Sequence, residues 1–185
     1  MKQTVLVISC EHAGNHIPQE YLPLFANYKT QLDAHHTCDV GALEIAEYLS
    51  EALNCDFTKT SISRLLIDCN RSLNHKKCFS AITQPLPMAE KEKIITNYYL
   101  PFREKTKHLI QNHIAHNRQV LHLSIHTFLP KVKGIMRNAA IAILYDPRRH
   151  GEKEVARIWH ELLLAQPIRF RVRLNYPYQG RSNGS

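Results

Sequence analysis

The run Val5-Leu6-Val7-Ile8 is short, apolar and largely β-branched, and it stops at Ser9-Cys10-Glu11-His12-Ala13-Gly14-Asn15-His16-Ile17-Pro18. A buried strand over residues 3–9 therefore delivers an acid, two imidazoles and an amide onto a glycine turn. In α/β proteins, ligands bind beyond the carboxyl ends of the strands, which is where these groups would lie. The pattern recurs at Leu121-His122-Leu123-Ser124-Ile125-His126-Thr127-Phe128, again a strand with a histidine at its exit. Two strand-end histidines far apart in sequence can meet at one site.

The rest of the chain alternates in the same way. Pro18 to Phe25 reads as a short helical turn. Apolar residues at Val40, Leu43, Ile45, Ala46, Leu49, Ala52 and Leu53 keep a helical period over 39–54, with Asp39 as an expected N-cap. Residues 55–60 read as a strand, and Leu65-Leu66-Ile67 is a second short apolar run ending in Asp68. Residues 88–116 read as helix, with Pro101 kinking it or starting a second helix. Strands are expected over 119–125, 139–145 and 168–174, and an amphipathic helix over 151–165. Strands alternating with helices give an α/β architecture with a mostly parallel or mixed central sheet flanked by helices. There is no repeat, low-complexity tract or linker, so one domain over 1–185 is expected, ending in a loop over 181–185.

Composition narrows the classes. No stretch approaches the roughly 20 apolar residues of a membrane span, and the N-terminus lacks a signal-peptide pattern. Cys10, Cys38, Cys55, Cys69 and Cys78 are odd in number and lack CxxC spacing, which argues against a disulfide framework and for a reducing, cytoplasmic setting. The net charge of +8 suits an anionic partner. No RNP, KH or zinc-finger pattern accompanies it, so nucleic acid is not expected and a carboxylate substrate is.

Three segments could carry chemistry. Glu11-His12-Ala13-Gly14-Asn15 offers a metal ligand or an acid–base pair. Ser63-Arg64-Leu65-Leu66-Ile67-Asp68-Cys69-Asn70-Arg71 sets two guanidiniums and an amide around an apolar core, and Arg forks bind carboxylates bidentately. Asp68 would hold a guanidinium in place. Ser124-Ile125-His126 gains weight from its strand-end position. His35-His36-Thr37-Cys38-Asp39 adds further ligand types before the helix. His108, His113 and His116 are expected to face solvent, His122 to pack, and Cys69 to be a small core residue.

In order, SCEHAGNHIP, HHTCDVGA, SRLLIDCNR, SIHTFLP and NYPYQG resemble the N-formylglutamate amidohydrolase family over nearly the whole chain. The resemblance implies a zinc-carboxypeptidase-like core and a hydrolase of amino-acid catabolism. It implies zinc, or another divalent metal, on His12 and His126. It also implies a carboxylate-gripping pair at Asn70 and Arg71, assisted by Arg64. Related enzymes carry His-x-x-Glu where this chain has His12-Ala13-Gly14-Asn15. The third ligand therefore stays open among Glu11, His35 and Asp39; Asp39 is carried forward as the metal ligand and Glu11 as the proton carrier. Family members continue beyond the NxPYxG segment, so the chain is expected to be short at its C-terminus, to lack the family's glutamate base and to self-associate.

The expected activity is metal-dependent cleavage of an N-acyl amino acid such as N-formyl-L-glutamate to the free amino acid and formate. The alternative is a catalytically weak relative that binds a carboxylate or a partner. The sequence assigns no oligomeric state.

Overall fold

The computed structural model describes residues 2–28 and 37–180. His35 lies outside the described residues, as does the expected terminal loop. The chain divides into two compact units, residues 1–128 and 129–185.

The first unit is built on three parallel strands in the order β2-β1-β3: β1 (Thr4–Cys10), β2 (Asp56–Lys59) and β3 (Gln119–Ser124). Val7, Ile8, Ser9 and Cys10 pair with Asp56, Phe57, Thr58 and Lys59 on one side. On the other side Thr4 to Ser9 pair with Gln119 to Ser124. The chain leaves β1 for one flank and returns to the other, so the switch of direction falls at the carboxyl end of β1.

Successive side chains of a strand point to opposite faces. Leu6, Ile8 and Cys10 line one face with Phe57, Leu123 and Ile125, and helix α1 (Ala42–Ala52) covers it through Ala42 and Ala46. Small alanines let helix and sheet approach closely. Helix α1 begins one turn later than its apolar period suggests. Gly41, at φ +83°, is its N-cap, so Asp39 is not the expected cap. Its main chain links instead to His12 and Ala42, the Asp39 N–H donating to the His12 carbonyl at 3.1 Å. That leaves its carboxylate available to the histidines.

The second helical stretch is continuous but not uniform. Helix α2 (Met88–Ile94) passes through a π-helical turn (Ile95–Tyr99) into α3 (Leu100–Ala115). Pro101 sits in the first turn of α3, where its missing N–H costs little. Ile94, Tyr99 and Phe102 join Ile17, Tyr21, Phe25, Leu66, Ile67, Cys69 and Cys78 in the larger core. His113, expected in solvent, instead points at the sheet, its Nε2 lying 2.7 Å from Asp56 Oδ2. The face of β1 and β3 toward α3 carries Ser9, His122 and Ser124. The residue expected to pack, His122, is hydrogen-bonded there to Ser9.

The second unit holds two small sheets. Strands β4 (Lys131–Val132) and β5 (Ile135–Met136) form an antiparallel hairpin. Its two turn residues, Lys133 and Gly134, both have positive φ, which suits the twist of a two-residue hairpin. Strands β6 (Ile141–Ile143) and β7 (Val172–Leu174) pair in parallel across helix α4 (His150–Leu164), with Ile143, Ala156 and Val172 at the centre. These strands are shorter than the apolar runs predict. The Asn175 side-chain oxygen accepts from the N–H groups of Tyr145 and Gly180. Any side chain at 180 would collide with the Tyr145 backbone.

Leu66 is fully buried in the larger core. Leu66→Ala is expected to cost about 2–5 kcal/mol, the usual range for truncating a buried leucine. Denaturant titration followed by far-UV circular dichroism measures it, and a cost below about 1 kcal/mol would contradict the packing described.

Candidate functional site

The segments after the three parallel strands meet at the switch point. The turn after β1 carries Glu11 and His12. Gly14 lets this turn touch the chain after β2: an added Cβ would fall 2.9 Å from the Ser61 carbonyl oxygen. His16 and Ser63 complete the seam, the His16 N–H donating to the Ser61 carbonyl and the Ser63 N–H to the His16 carbonyl. The Ser63 hydroxyl accepts from the Leu65 N–H, and Leu66 and Ile67 are buried beneath. Asp68, Asn70 and Arg71 follow in a tight turn. The Asp68 carboxylate accepts from the Asn70 N–H at 3.0 Å, and the Tyr99 hydroxyl donates to the Arg71 carbonyl at 2.8 Å. After β3, the Thr127 hydroxyl donates to the Val40 carbonyl at 2.8 Å, which draws His126 to Asp39.

The two imidazoles stand with ring centroids 5.0 Å apart. His12 is 2% exposed. Its Nε2 lies 2.8 Å from Asp68 Oδ1, and its Nδ1 lies 3.4 Å from Asp39 Oδ2. His126 Nδ1 lies 2.7 Å from the same Asp39 oxygen. Arg64 spans both aspartates, 3.6 Å from Asp39 Oδ1 and 3.3 Å from Asp68 Oδ2. Arg71 Nε lies 3.7 Å from Asp68 Oδ2, and the Asn70 side-chain amide lies 3.3 Å from His126 Nε2.

The structure thus gathers His12, His126, Asp39, Arg64, Asn70 and Arg71 into one cluster joined through Asp39, Asp68 and His126. Glu11 lies behind His126, 3.4 Å from its Nε2, with one carboxylate oxygen accepting from Ser9 and the other from Ser124. Asp68 meets the guanidiniums as expected, and also meets His12. That contact, and the parts of Ser9, His122 and Ser124, went unread. The available signal was the strict alternation of His122, Ser124 and His126 with Leu121, Leu123 and Ile125.

The electrostatics follow from burial and partners. Burial alone would lower the affinity of His12 for a proton, but bonds to Asp39 and Asp68 outweigh it and raise the pKa above 6.5. Burial would likewise raise both aspartates. Hydrogen bonds from His12 and His126 instead hold Asp39 well below the carboxylate range, and His12 with Arg64 brings Asp68 down to about 2. For Glu11, the His126 charge and two hydroxyl donors overcome burial and lower the pKa.

The donor set suits a cation. Asp68 is an acceptor at His12 Nε2, so that nitrogen carries the hydrogen and a neutral ring turns its Nδ1 lone pair toward Asp39. With both Nδ1 atoms aimed at one carboxylate oxygen, neutral rings leave lone pairs facing lone pairs. Protons resolve this, and so does a metal ion. One atom from each of His12, Asp39 and His126 falls within 4.8 Å of the other two. Two imidazoles and a carboxylate are a donor set of catalytic zinc sites.

The profile of the N-formylglutamate amidohydrolase family matches residues 4–184. The chain belongs to this family. Its fold is similar to the crystal structure of gene product Atu2144 from Agrobacterium tumefaciens, with a TM-score of 0.82 at 29% sequence identity. That match covers 98% of this chain and 72% of the other. No curated protein matches the chain. Among the described residues no helix is long and apolar enough to cross a membrane.

The raised His12 contributes stability at pH below its ordinary value of 6.5, and this is lost as pH rises through its folded pKa. The lowered Asp68 contributes above 3.8, and this is lost as pH falls toward about 2. Chelator-treated protein is therefore expected to be most stable between about 4 and 6.5. Binding of Zn²⁺, which needs unprotonated imidazoles, should tighten as pH rises from that window. Thermal melts and Zn²⁺ titrations across pH check both trends. A chelated protein whose stability is flat through the neutral range would contradict the assigned contacts.

Proposed function

We propose that this chain hydrolyses the amide bond of an N-acyl amino acid, with N-formyl-L-glutamate as the reference substrate. Water adds across the amide, releasing formate and the free amino acid. The observation that carries this reading is the paired Nδ1 atoms on Asp39 beside two arginines held by Asp68. Family membership supports amide hydrolysis as the reaction class. We read the first unit as a zinc-carboxypeptidase-like core, and the five free thiols suit a reducing, cytoplasmic setting.

In this reading His12, His126 and Asp39 hold a divalent cation, zinc in the first instance. Bound there, the ion would polarise the acyl oxygen and lower the pKa of water toward about 7. Arg71 and Arg64 present N–H groups to a substrate carboxylate, and the Asn70 amide orients it beside His126. Asp68 joins the two halves: it fixes the His12 ring and aims the guanidiniums. The placement of Glu11, with both oxygens taking hydroxyl donors, supports a part in holding His126 rather than in carrying a proton.

Protein purified without added zinc is expected to hold about one divalent ion per chain, by the ligand count of a single catalytic site, and His126→Ala to lose it on metal analysis. Zinc-supplied protein should release formate from N-formyl-L-glutamate. Arg71→Ala should weaken substrate binding by about 2–5 kcal/mol if the arginine pairs with a buried carboxylate, seen as a raised KM. Zinc-loaded wild type that releases no formate would overturn the activity, and an unchanged KM would remove Arg71 from the site.

A further inference from the structure

Toward its carboxyl end, the face of β1 and β3 on the α3 side turns from the buried Val7 to a run of polar side chains, buried on β1 and exposed on the edge strand β3. Ser9 pairs with Ser124 across the strands, and Val7 with His122, so side chains 9, 122 and 124 share that face. Glu11 and His126 follow two residues on, just past the end of each strand. Ser9 is fully buried, and Glu11 is 5% exposed. Burying such groups costs free energy unless each finds a partner. Here they satisfy one another in a single string.

The string has a direction. A serine hydroxyl carries one hydrogen. Ser9 donates its hydrogen to Glu11 Oε1 at 2.6 Å, and Ser124 donates its own to Glu11 Oε2 at 2.5 Å. The 2.9 Å contact between Ser124 Oγ and His126 Nε2 must then run from the imidazole N–H to the hydroxyl oxygen. By the same logic His122 Nε2–H donates to Ser9 Oγ at 2.8 Å. Burial lowers the His122 pKa, which keeps that ring neutral with one hydrogen to give. With the Asn70 side-chain amide, 3.3 Å from the same nitrogen, turned to present its oxygen, the hydrogen of His126 sits at Nε2 and its Nδ1 lone pair faces Asp39.

We propose that Ser9, Ser124 and His122 are positioning residues that, through Glu11, select the tautomer of His126 able to ligate a cation at Nδ1. This rests on the reading of His12, Asp39 and His126 as a cation site. Asp68 sets the tautomer of His12 with one carboxylate. His126 lies past the end of β3, on a loop, and is set by a string that begins inside the sheet. Serving the site from the sheet explains why the buried end of this face past Val7 carries Ser9 and Glu11 rather than apolar residues.

The test is Zn²⁺ affinity, measured on the full chain by competition with a chromogenic chelator. Partners behind a ligating histidine typically contribute 10–100-fold in metal affinity. Ser9→Ala is therefore expected to weaken Zn²⁺ binding by roughly 10–100-fold, and Ser9→Thr, which keeps the hydroxyl, to stay within about threefold of wild type. His122→Leu should act like Ser9→Ala, and His122→Gln, which keeps an N–H donor, should recover part of the loss. Folded Ser9→Ala and His122→Leu proteins that bind Zn²⁺ as wild type does would overturn the proposal. If Ser9→Ala does not fold, His122→Leu decides by the same criterion; if neither folds, the string is a structural core and the proposal fails. Wild type that binds no Zn²⁺ would instead overturn the cation reading itself. Zn²⁺ binding without formate release leaves this proposal standing and removes only the hydrolase.

Discussion

The in-register parallel pairing of β1 with β3 is the constraint on which the site depends. With Ser9 opposite Ser124, the two strands end level, and the chain past each one leaves from the same rim. A slip of one residue would send every side chain of one strand to the opposite face. It would bury His126 against α1 and leave Asp39 with one imidazole. Main-chain geometry thus decides the chemistry before any side chain is positioned.

On that frame, the site solves a charge problem. Three carboxylates, Glu11, Asp39 and Asp68, are drawn from water, and all three stay ionised. Isolated buried carboxylates would take up protons instead. Here each carboxylate meets donors: hydroxyls for Glu11, Arg64 for Asp39, whose other oxygen faces the two Nδ1 atoms across a place for a proton or a cation, and His12, Arg64, Arg71 and a backbone N–H for Asp68. The network holds together because no member is left alone, and removing one partner exposes the cost of the rest.

Much of this was legible in the chain. The β-branched run before Glu11 and the Leu-x-Leu-x-Ile pattern before His126 place two strands and their exits, because apolar alternation reports a buried face directly. The motif order placed Arg64, Asn70 and Arg71, and family membership bears out the resemblance on which they rested. Asp39 was readable as a ligand or as a cap, and Gly41 took the cap. That outcome depends on a left-handed backbone angle that an Asp-Val-Gly string does not announce. His113 was misread because an amphipathic pattern says nothing of one acid, Asp56, waiting on a strand end. The polar string on the β1–β3 face went unread because His122 was expected to pack, whereas His122 and Ser124 lie exposed on an edge strand and only Ser9 and Glu11 are buried.

The π-helical turn between α2 and α3 has a consequence of its own. An α-helix advances about 100° per residue, so five residues would carry Tyr99 well round from Ile94. The widened turn reduces that rotation, and both side chains reach one core. The Tyr99 hydroxyl then arrives under the Arg71 carbonyl. Spacing along this helix is thereby coupled to a loop nearly thirty positions earlier. Substitutions at the exposed Thr96 and Asn97 change only the surface, whereas a single deletion would turn the anchor of the arginine loop away from it.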